Sequence, residues 1–569
     1  MTDDGTVVGG LAEPEELEPA QGSLDLASPE DRWTVADWER EAAAVLRKSR
    51  RLTDEDPDDR VWEKLARTTL DGIAVTPLGT AALLEDVRTD GRPLRQGAWD
   101  VRAHVDGRDA KLAHEEVLVD LDGGVTNLWV TGGTDLDTLL DGVLLDLAAV
   151  VLDGADPHAF LAYAAGRELH PATNLGMPAA GATAEVARLA QDRGIRAFVV
   201  DASAVHDRGA SDAQELGWSM AAAAAYLRTL TEAGLTVDEA AALVEFRYAA
   251  TDEQFPTIAK LRAARRLWAR VLEMSGVSTG STSAAMRLHA VTSRPMMSKY
   301  DPWVNMLRTT VAAFAAGVGG ADAVTVLPFD GPLGRPDELG RRIARNTSHL
   351  LIDESHVAYV ADPAGGAYAV EKLTDDLASV AWAVLGRLDD GGDLDEEIAT
   401  TVAERERQIA TRTRPITGLT EFPNLGEELP QRAGEPDPVR RYGASFEALR
   451  DDPATAHVFL ATLGTVAQHT ARATFATNLL AAGGIAVDVA GPTRDADELV
   501  AAYAGQSVVC LAGADPTYEA WGAEAARKLR EAGANHVVIA GRPTDYADDS
   551  CAMGVDALDF LTRTREELA

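Results

Sequence analysis

Read for the alternation of apolar and polar positions, the chain divides into segments of two periods. Short β-rich runs at 117–121, 128–131, 195–201, 287–291 and 324–327 carry the strand signal. Between them, longer Ala- and Leu-rich stretches at 213–230, 258–273, 304–316 and 338–353 carry helical spacing. Such alternation from residue 61 to about 410 predicts a barrel domain over 61–422. A second series has strands at 457–463, 486–489, 508–511 and 536–540, separated by helices at 470–482, 496–504 and 518–532. It predicts a doubly wound domain over 441–569. Pro423, Pro430, Pro436 and Pro438 punctuate the polar stretch between the two, which reads as a linker over 423–440. The expected fold class is α/β: a TIM (β/α)8 barrel followed by a flavodoxin-like doubly wound domain. No internal repeat stands out, which argues against a solenoid.

The N-terminal part follows neither pattern. Residues 1–30 are rich in Gly, Pro, Asp and Glu with few aromatics, and read as an acidic flexible arm that cannot bury enough surface to order itself. Thr34 followed three residues later by Asp37 makes a capping box, with Trp33 and Trp38 at the positions of a hydrophobic staple. A helix should therefore run from 35 to 51 within a docking segment over 31–60. Its tryptophans, Val45 and Leu46 form an apolar face on a charged helix, to be covered either by its own barrel or by another chain.

Composition narrows the classes. The chain has 569 residues, 46% of them hydrophobic, enough for about three or four globular domains. Its net charge of −38 repels nucleic acid and anionic membranes. The apolar run 139–152 is cut by Asp141 and Asp146, short of the roughly 20 residues of a membrane span. Residues 1–18 lack the basic start and apolar stretch of a signal peptide, so a soluble, cytoplasmic protein is expected. Cys510 and Cys551, the only two cysteines, allow no disulfide framework. The histidines show no HExxH spacing and there is no CxxC, which disfavours a dedicated zinc site. Gly276-Val277-Ser278-Thr279-Gly280 matches the G-x-S-x-G nucleophile elbow, but it follows a helix where the elbow must follow a strand. Neither common nucleotide-binding loop pattern occurs.

Long stretches that no general rule explains are more informative. FPTIAKLRAARRLWARV (255–271), DPWVNMLRTT (301–310) and RIARNTSHLLIDESHVAYVADPAGGAYAVE (342–371) closely resemble the barrel of the adenosylcobalamin-dependent acyl-CoA mutases, above all those acting on methylmalonyl-CoA. LDGIAVTPL (70–78) resembles the start of that barrel and ITGLTEFPN (416–424) its end. The resemblance implies a barrel that holds a CoA thioester in its axis and a flavodoxin-like domain that caps it with cobalamin. The reaction it implies is a radical 1,2-shift interconverting methylmalonyl-CoA and succinyl-CoA.

Position by position, the same resemblance implies a dismantled site. The family's R-G-P-Y-x-T-M-Y loop is missing where Arg95-Gln96-Gly97-Ala98 runs straight into Trp99-Asp100-Val101-Arg102. The family's thioester-binding histidine falls on Ala204; His206 lies two residues on, about 7 Å along an extended segment, and reads as structural. In Arg287-Leu288-His289-Ala290-Val291-Thr292-Ser293-Arg294 the arginine and histidine of R-T-H-C-Q-T-S-G are kept, but Val291 replaces the glutamine and Arg294 the glycine. Glu354 stands where the family contacts the adenosyl group. The cobalt-binding D-x-H-x-x-G becomes Ala467-x-His469-x-x-Arg472, the S-x-L becomes Val509-Cys510-Leu511, and the G-G near the nucleotide tail becomes Ala540-Gly541. The resemblance thus implies no catalytic, cofactor-binding or metal residue on this chain, with Arg287, His289, Glu354 and His469 as vestiges. Adenosylcobalamin is expected on a larger homologous catalytic subunit, which this smaller, non-catalytic chain supports in a heterodimer. Two other readings stay open. One is a self-sufficient mutase of altered substrate using Arg287, His289 and Glu354. The other is a transient regulatory or chaperone partner of a mutase.

Overall fold

The computed structural model describes residues 32–87, 95, 97–133, 135–277 and 285–569. The arm expected over 1–30, Gln96 and Ser278-Thr279-Gly280 of the G-x-S-x-G string lie outside them. The chain forms two compact units, the first reaching Arg67 and including Ala74–Pro77.

In the first unit, helix α1 (Val35–Lys48) opens on the expected capping box, Thr34 and Asp37 bonding each other's backbone. Its apolar face divides. Ala43 and Leu46 pack with Leu52 and Val61, and Trp38 lies 4.7 Å from Trp62. Trp33 and Val45 are left 74% and 67% exposed. Trp38 therefore pairs with a tryptophan further along the chain, and Trp33 is not buried as a staple.

The second unit holds a closed barrel of eight parallel strands. These are β1 (Asp100–Asp106), β2 (Asn127–Thr131), β3 (Ala149–Asp153), β4 (Asn174–Pro178), β5 (Arg196–Asp201), β6 (Val244–Ala250), β7 (Arg287–Thr292) and β8 (Ala323–Thr325). Strand β8 pairs with both β7 and β1 and closes the ring. The covering helices used below are α2 (Ala110–Asp122), α3 (Ser203–Asp207), α4 (Asp212–Glu232), α5 (Gln254–Met274), α6 (Val304–Val318), α7 (Glu338–His349), α8 (Tyr368–Asp389) and α9 (Asp395–Ala410). Helices α8 and α9 form a partial second layer: α8 packs on α4 and α5. Gly217 permits the close approach, since a Cβ there would meet Val384 at 2.5 Å.

Residues 117–121, expected as a strand, lie inside α2. Asp109 caps that helix, accepting from Leu112 N at 3.2 Å. Ala113, Val117 and Asp120 are its buried positions, a spacing of four and three that a helix satisfies and a strand does not.

The C-terminal domain is a five-stranded parallel sheet in the order β10-β9-β11-β12-β13. Its strands are β9 (Val458–Thr462), β10 (Val487–Val489), β11 (Val508–Ala512), β12 (His536–Ala540) and β13 (Asp549–Cys551). Helices α10 (Val466–Ala482), α11 (Ala523–Glu531) and α12 (Ala557–Leu568) accompany it. Strands β9 and β11 are buried throughout, as a sheet covered on both faces requires. Barrel and domain share a core: Tyr300, Ile409 and Leu419 pack in one cluster with Phe446, Val458 and Leu480. The segment expected as a linker is pinned across the barrel. Arg335 N donates to Ala433 O at 2.7 Å, Arg432 pairs with Asp330 and Asp337, and Asp437 pairs with Arg294. Among the described residues no helix is long and apolar enough to cross a membrane. Nor does any group of three His, Cys, Asp or Glu side chains there lie where it could hold a metal ion.

Candidate functional site

Side chains alternate along a strand, so every second residue of each barrel strand points at the axis. Here two successive layers facing the axis are charged. In the layer nearer the strand starts, Arg102 of β1 reaches across to Glu245 of β6 in a bidentate pair, Nη1–Oε1 2.5 Å and Nη2–Oε2 3.1 Å, with both side chains fully buried. Arg287 of β7 joins them, its Nε 3.1 Å from Glu245 Oε2 and its Nη2 paired with Asp100. Burial alone would push the Glu245 carboxyl up; the Arg102 charge and hydrogen bonds outweigh it and hold the group at about 2.

The next layer is built on Arg247 of β6. Its Nη1 lies 2.7 Å from Asp201 Oδ2 and 3.0 Å from Asp153 Oδ2, and Trp129 Nε1 donates to that same Asp153 oxygen at 3.0 Å. Arg247 Nε donates to His289 Nδ1 at 3.3 Å. Because an arginine can only donate, His289 carries its proton on Nε2, which donates to Thr325 Oγ1 at 2.8 Å. Burial first, then the charges of Arg102 and Arg247, push the His289 imidazole well below its ordinary value. It is a neutral ring with both nitrogens committed, its one N–H engaged by Thr325. A cavity of 580 Å³ at the strand starts has Asp100 and Arg287 in its lining, so the open space stops at the lower ionic layer. A second, of 610 Å³, opens at the β1–β8 seam between α2 and α7, and its lining includes the axis-side Arg102, His104 and Asp106 of β1 together with Arg294. A thioester threading the axis would have to displace both layers.

Of the other residues singled out from the sequence, His206 lies on the short helix α3, not on an extended segment. Its Nε2 is 2.7 Å from Ser293 Oγ and its Nδ1 3.5 Å from Glu215, a buried structural network that also engages Lys260. Glu354 does not join Arg287 and His289. It is exposed on the π turn that extends α7, beyond His349 and Ser348. Ser348 accepts from Trp99 Nε1 at 3.4 Å just before β1, which places that turn at the strand-start end of the barrel. Trp129, Arg247, Asp153 and Asp201, which dominate the axis, were not singled out by the sequence reading.

In open α/β sheets ligands lie beyond the carboxyl ends of the strands. Here that cleft is occupied by the chain's own side chains. The Tyr518 hydroxyl accepts from Gly513 N at 3.0 Å and lies 3.0 Å from Leu511 O and 2.9 Å from Ala540 O, stitching the ends of β11 and β12 together. Arg472 lies 4.9 Å over the Tyr518 ring, donates to Gly513 O at 2.7 Å and pairs with Asp515. Both side chains lie beside Gly541, where a Cβ would be in van der Waals contact with Arg472 and Tyr518 at 3.5 Å each. His469 sits in the first turn of α10, buried, its Nδ1 3.3 Å from Gly464 O, with Ala467 offering no carboxylate to orient it. These residues do not fit a cobalamin with its nucleotide tail buried in the sheet.

A closed parallel barrel followed by a doubly wound domain, the two sharing one core, places the chain in the architectural class of the cobalamin-type mutases. The family model for methylmalonyl-CoA mutase matches residues 184–488. The methylmalonyl-CoA mutase small subunit of Streptomyces virginiae is 43% identical, the match covering 96% of this chain and 98% of that one. A probable small subunit from Mycobacterium tuberculosis H37Rv is 41% identical over 89% of this chain and 92% of its own. The small subunit of Propionibacterium freudenreichii subsp. shermanii is 34% identical over 100% and 99%. The chain belongs to the methylmalonyl-CoA mutase family.

Proposed function

We propose that this chain is the small, non-catalytic subunit of a heterodimeric, cytoplasmic methylmalonyl-CoA mutase. It supports a larger homologous chain that holds adenosylcobalamin and interconverts methylmalonyl-CoA and succinyl-CoA, while carrying no catalytic, cofactor or metal residue of its own. The observation that carries this reading is the barrel axis, closed by the Arg102–Glu245–Arg287 layer and again by Arg247 against Trp129. The filled cleft around Tyr518 and Arg472 supports it independently. Arg287 and His289 are retained because the barrel core uses them, as ion-pair and hydrogen-bond partners, and so do not signal a residual active site. The buried thiols of Cys510 and Cys551, unpaired, suit a reducing compartment.

The test is reconstitution. The purified chain given adenosylcobalamin and methylmalonyl-CoA should form no succinyl-CoA and should retain no hydroxocobalamin through gel filtration. A longer homologue that retains D-x-H-x-x-G should turn over, and its stability or yield should depend on this chain. Turnover by this chain alone, abolished by His289→Ala, would overturn the proposal.

A further inference from the structure

Helix α6 has an unusual outside. The positions at and after its start that reach solvent are Trp303, Val304, Met306, Leu307, Thr310, Val311 and Phe314, and none carries a charge. Arg308, the one ionisable side chain of this helix, turns inward and donates to Thr417 O at 2.7 Å. Leu307 is 68% exposed. The neighbouring turn prolongs the surface: Phe314 of α6 and Val357 pack on one cluster with Ile258, Val318 and Val370, and beyond Val357 the Tyr359 side chain is 78% exposed, beside an exposed Val360. A quarter of the chain is charged, and a solvent-facing helix of such a protein should be polar outside. A contiguous apolar face of this kind marks an interaction site.

We propose that this face of α6, with Tyr359 and Val360, is the surface on which the larger mutase chain docks; the proposal rests on the heterodimer reading above. Three observations select that occupant. The face contributes nothing to the axis or to the cleft at Tyr518, so neither candidate site accounts for it. A second copy would bring another −38 charges, which opposes self-association. Trp303, Val304, Met306, Leu307, Thr310, Tyr359 and Val360 fall within DPWVNMLRTT and RIARNTSHLLIDESHVAYVADPAGGAYAVE, stretches that resemble the family, so a homologous chain would carry a helix at the corresponding place. Two such helices can meet across a pseudo-twofold axis, each presenting the same patch, with their ridges interdigitating.

The test uses Leu307→Glu and Tyr359→Glu, both at exposed positions that the fold tolerates, with Met553→Glu on the C-terminal domain as control. Binding to a tagged longer homologue retaining D-x-H-x-x-G is measured by surface plasmon resonance, and self-association by sedimentation. Each α6-face variant should weaken heterodimer affinity by about 100-fold or more, because it places an unpaired charge in an apolar contact, while Met553→Glu leaves it unchanged. Wild-type binding that survives both substitutions would overturn this surface while leaving the heterodimer standing. Failure of the wild-type chain to bind at all would remove the heterodimer reading, and the surface with it. A wild-type homodimer dissociated by Leu307→Glu would reassign the face to a second copy.

Discussion

The Arg247 guanidinium lies 4.0 Å from the centroid of the Trp129 indole, spanning the barrel from β6 to the diametrically opposed β2. The cation is buried over an aromatic face and anchored by two half-exposed aspartates, Asp153 and Asp201. Trp129→Ala should therefore cost about 3–5 kcal/mol in denaturant unfolding. The widened axis should still not take up methylmalonyl-CoA by calorimetric titration, because Arg102 and Glu245 bar the layer below. Micromolar binding by the variant would show that the upper layer alone closes the axis.

Glu245→Ala strands the Arg102 cation in a fully buried site and should destabilise the chain by about 3–5 kcal/mol. The double substitution Arg102→Met with Glu245→Leu removes both charges and should recover most of that loss. Equal losses in the single and double variants would mean that the pair acts through packing volume and not through charge.

Acid should weaken the barrel in two stages. Burial first, then Arg294 and Arg247, push the His104 imidazole down to about 3, and His289 is held well below its ordinary value by burial, Arg102 and Arg247. Below about pH 6.5 the unfolded chain binds protons on these rings that the folded chain does not, so stability falls by up to about 1.4 kcal/mol per pH unit for each. Glu245, with a folded value of about 2, adds stability that is present above its unfolded value of about 4.3 and is lost as the pH falls below it. Thermal melts should show Tm declining from about pH 6.5 and more steeply below about 4.3. His289→Gln should flatten the first stage only.

Cys510 and Cys551 are both buried, and the Cys510 thiol is pushed well above its ordinary value by its hydrogen bond to Cys551 and by burial. Neither thiol should react with a disulfide reagent such as Ellman's in the native chain at pH 8, and both should react on unfolding. Labelling kinetics then report opening of the C-terminal sheet; prompt native labelling would show that β11 and β13 open locally.

The alternation of strand and helix was legible because most of these elements are apolar runs. Strands β1, β3, β4 and β6 were not among those expected; for β1 and β6 the reason lies in their pattern. Asp100-Val101-Arg102-Ala103-His104-Val105-Asp106 and Val244-Glu245-Phe246-Arg247-Tyr248-Ala249-Ala250 interleave charged and apolar residues, so neither reads as a buried strand. Their period of two, with every charge on one face, was the signal of a charged barrel interior, and the partners of Arg102, Glu245 and Arg247 lie more than forty residues away on other strands. Glu354 shows the opposite failure: it was placed by resemblance alone, and the fold carries it to the end of the barrel away from the strand tips. Tyr518 gave no sequence signal, since a tyrosine at the head of an ordinary helical stretch acquires its role only when β11 and β12 end beside it.

The shared cluster of Tyr300, Ile409 and Leu419 with Phe446 and Val458 means that the C-terminal domain is not an appendage. A chain stopped at the pinned segment would be a barrel with one end of its core torn open, prone to aggregation and degradation. Selection on the scaffold alone would then be enough to preserve a domain whose cleft is filled by its own side chains: an early stop codon would cost the barrel part of its core, whatever the lost domain binds.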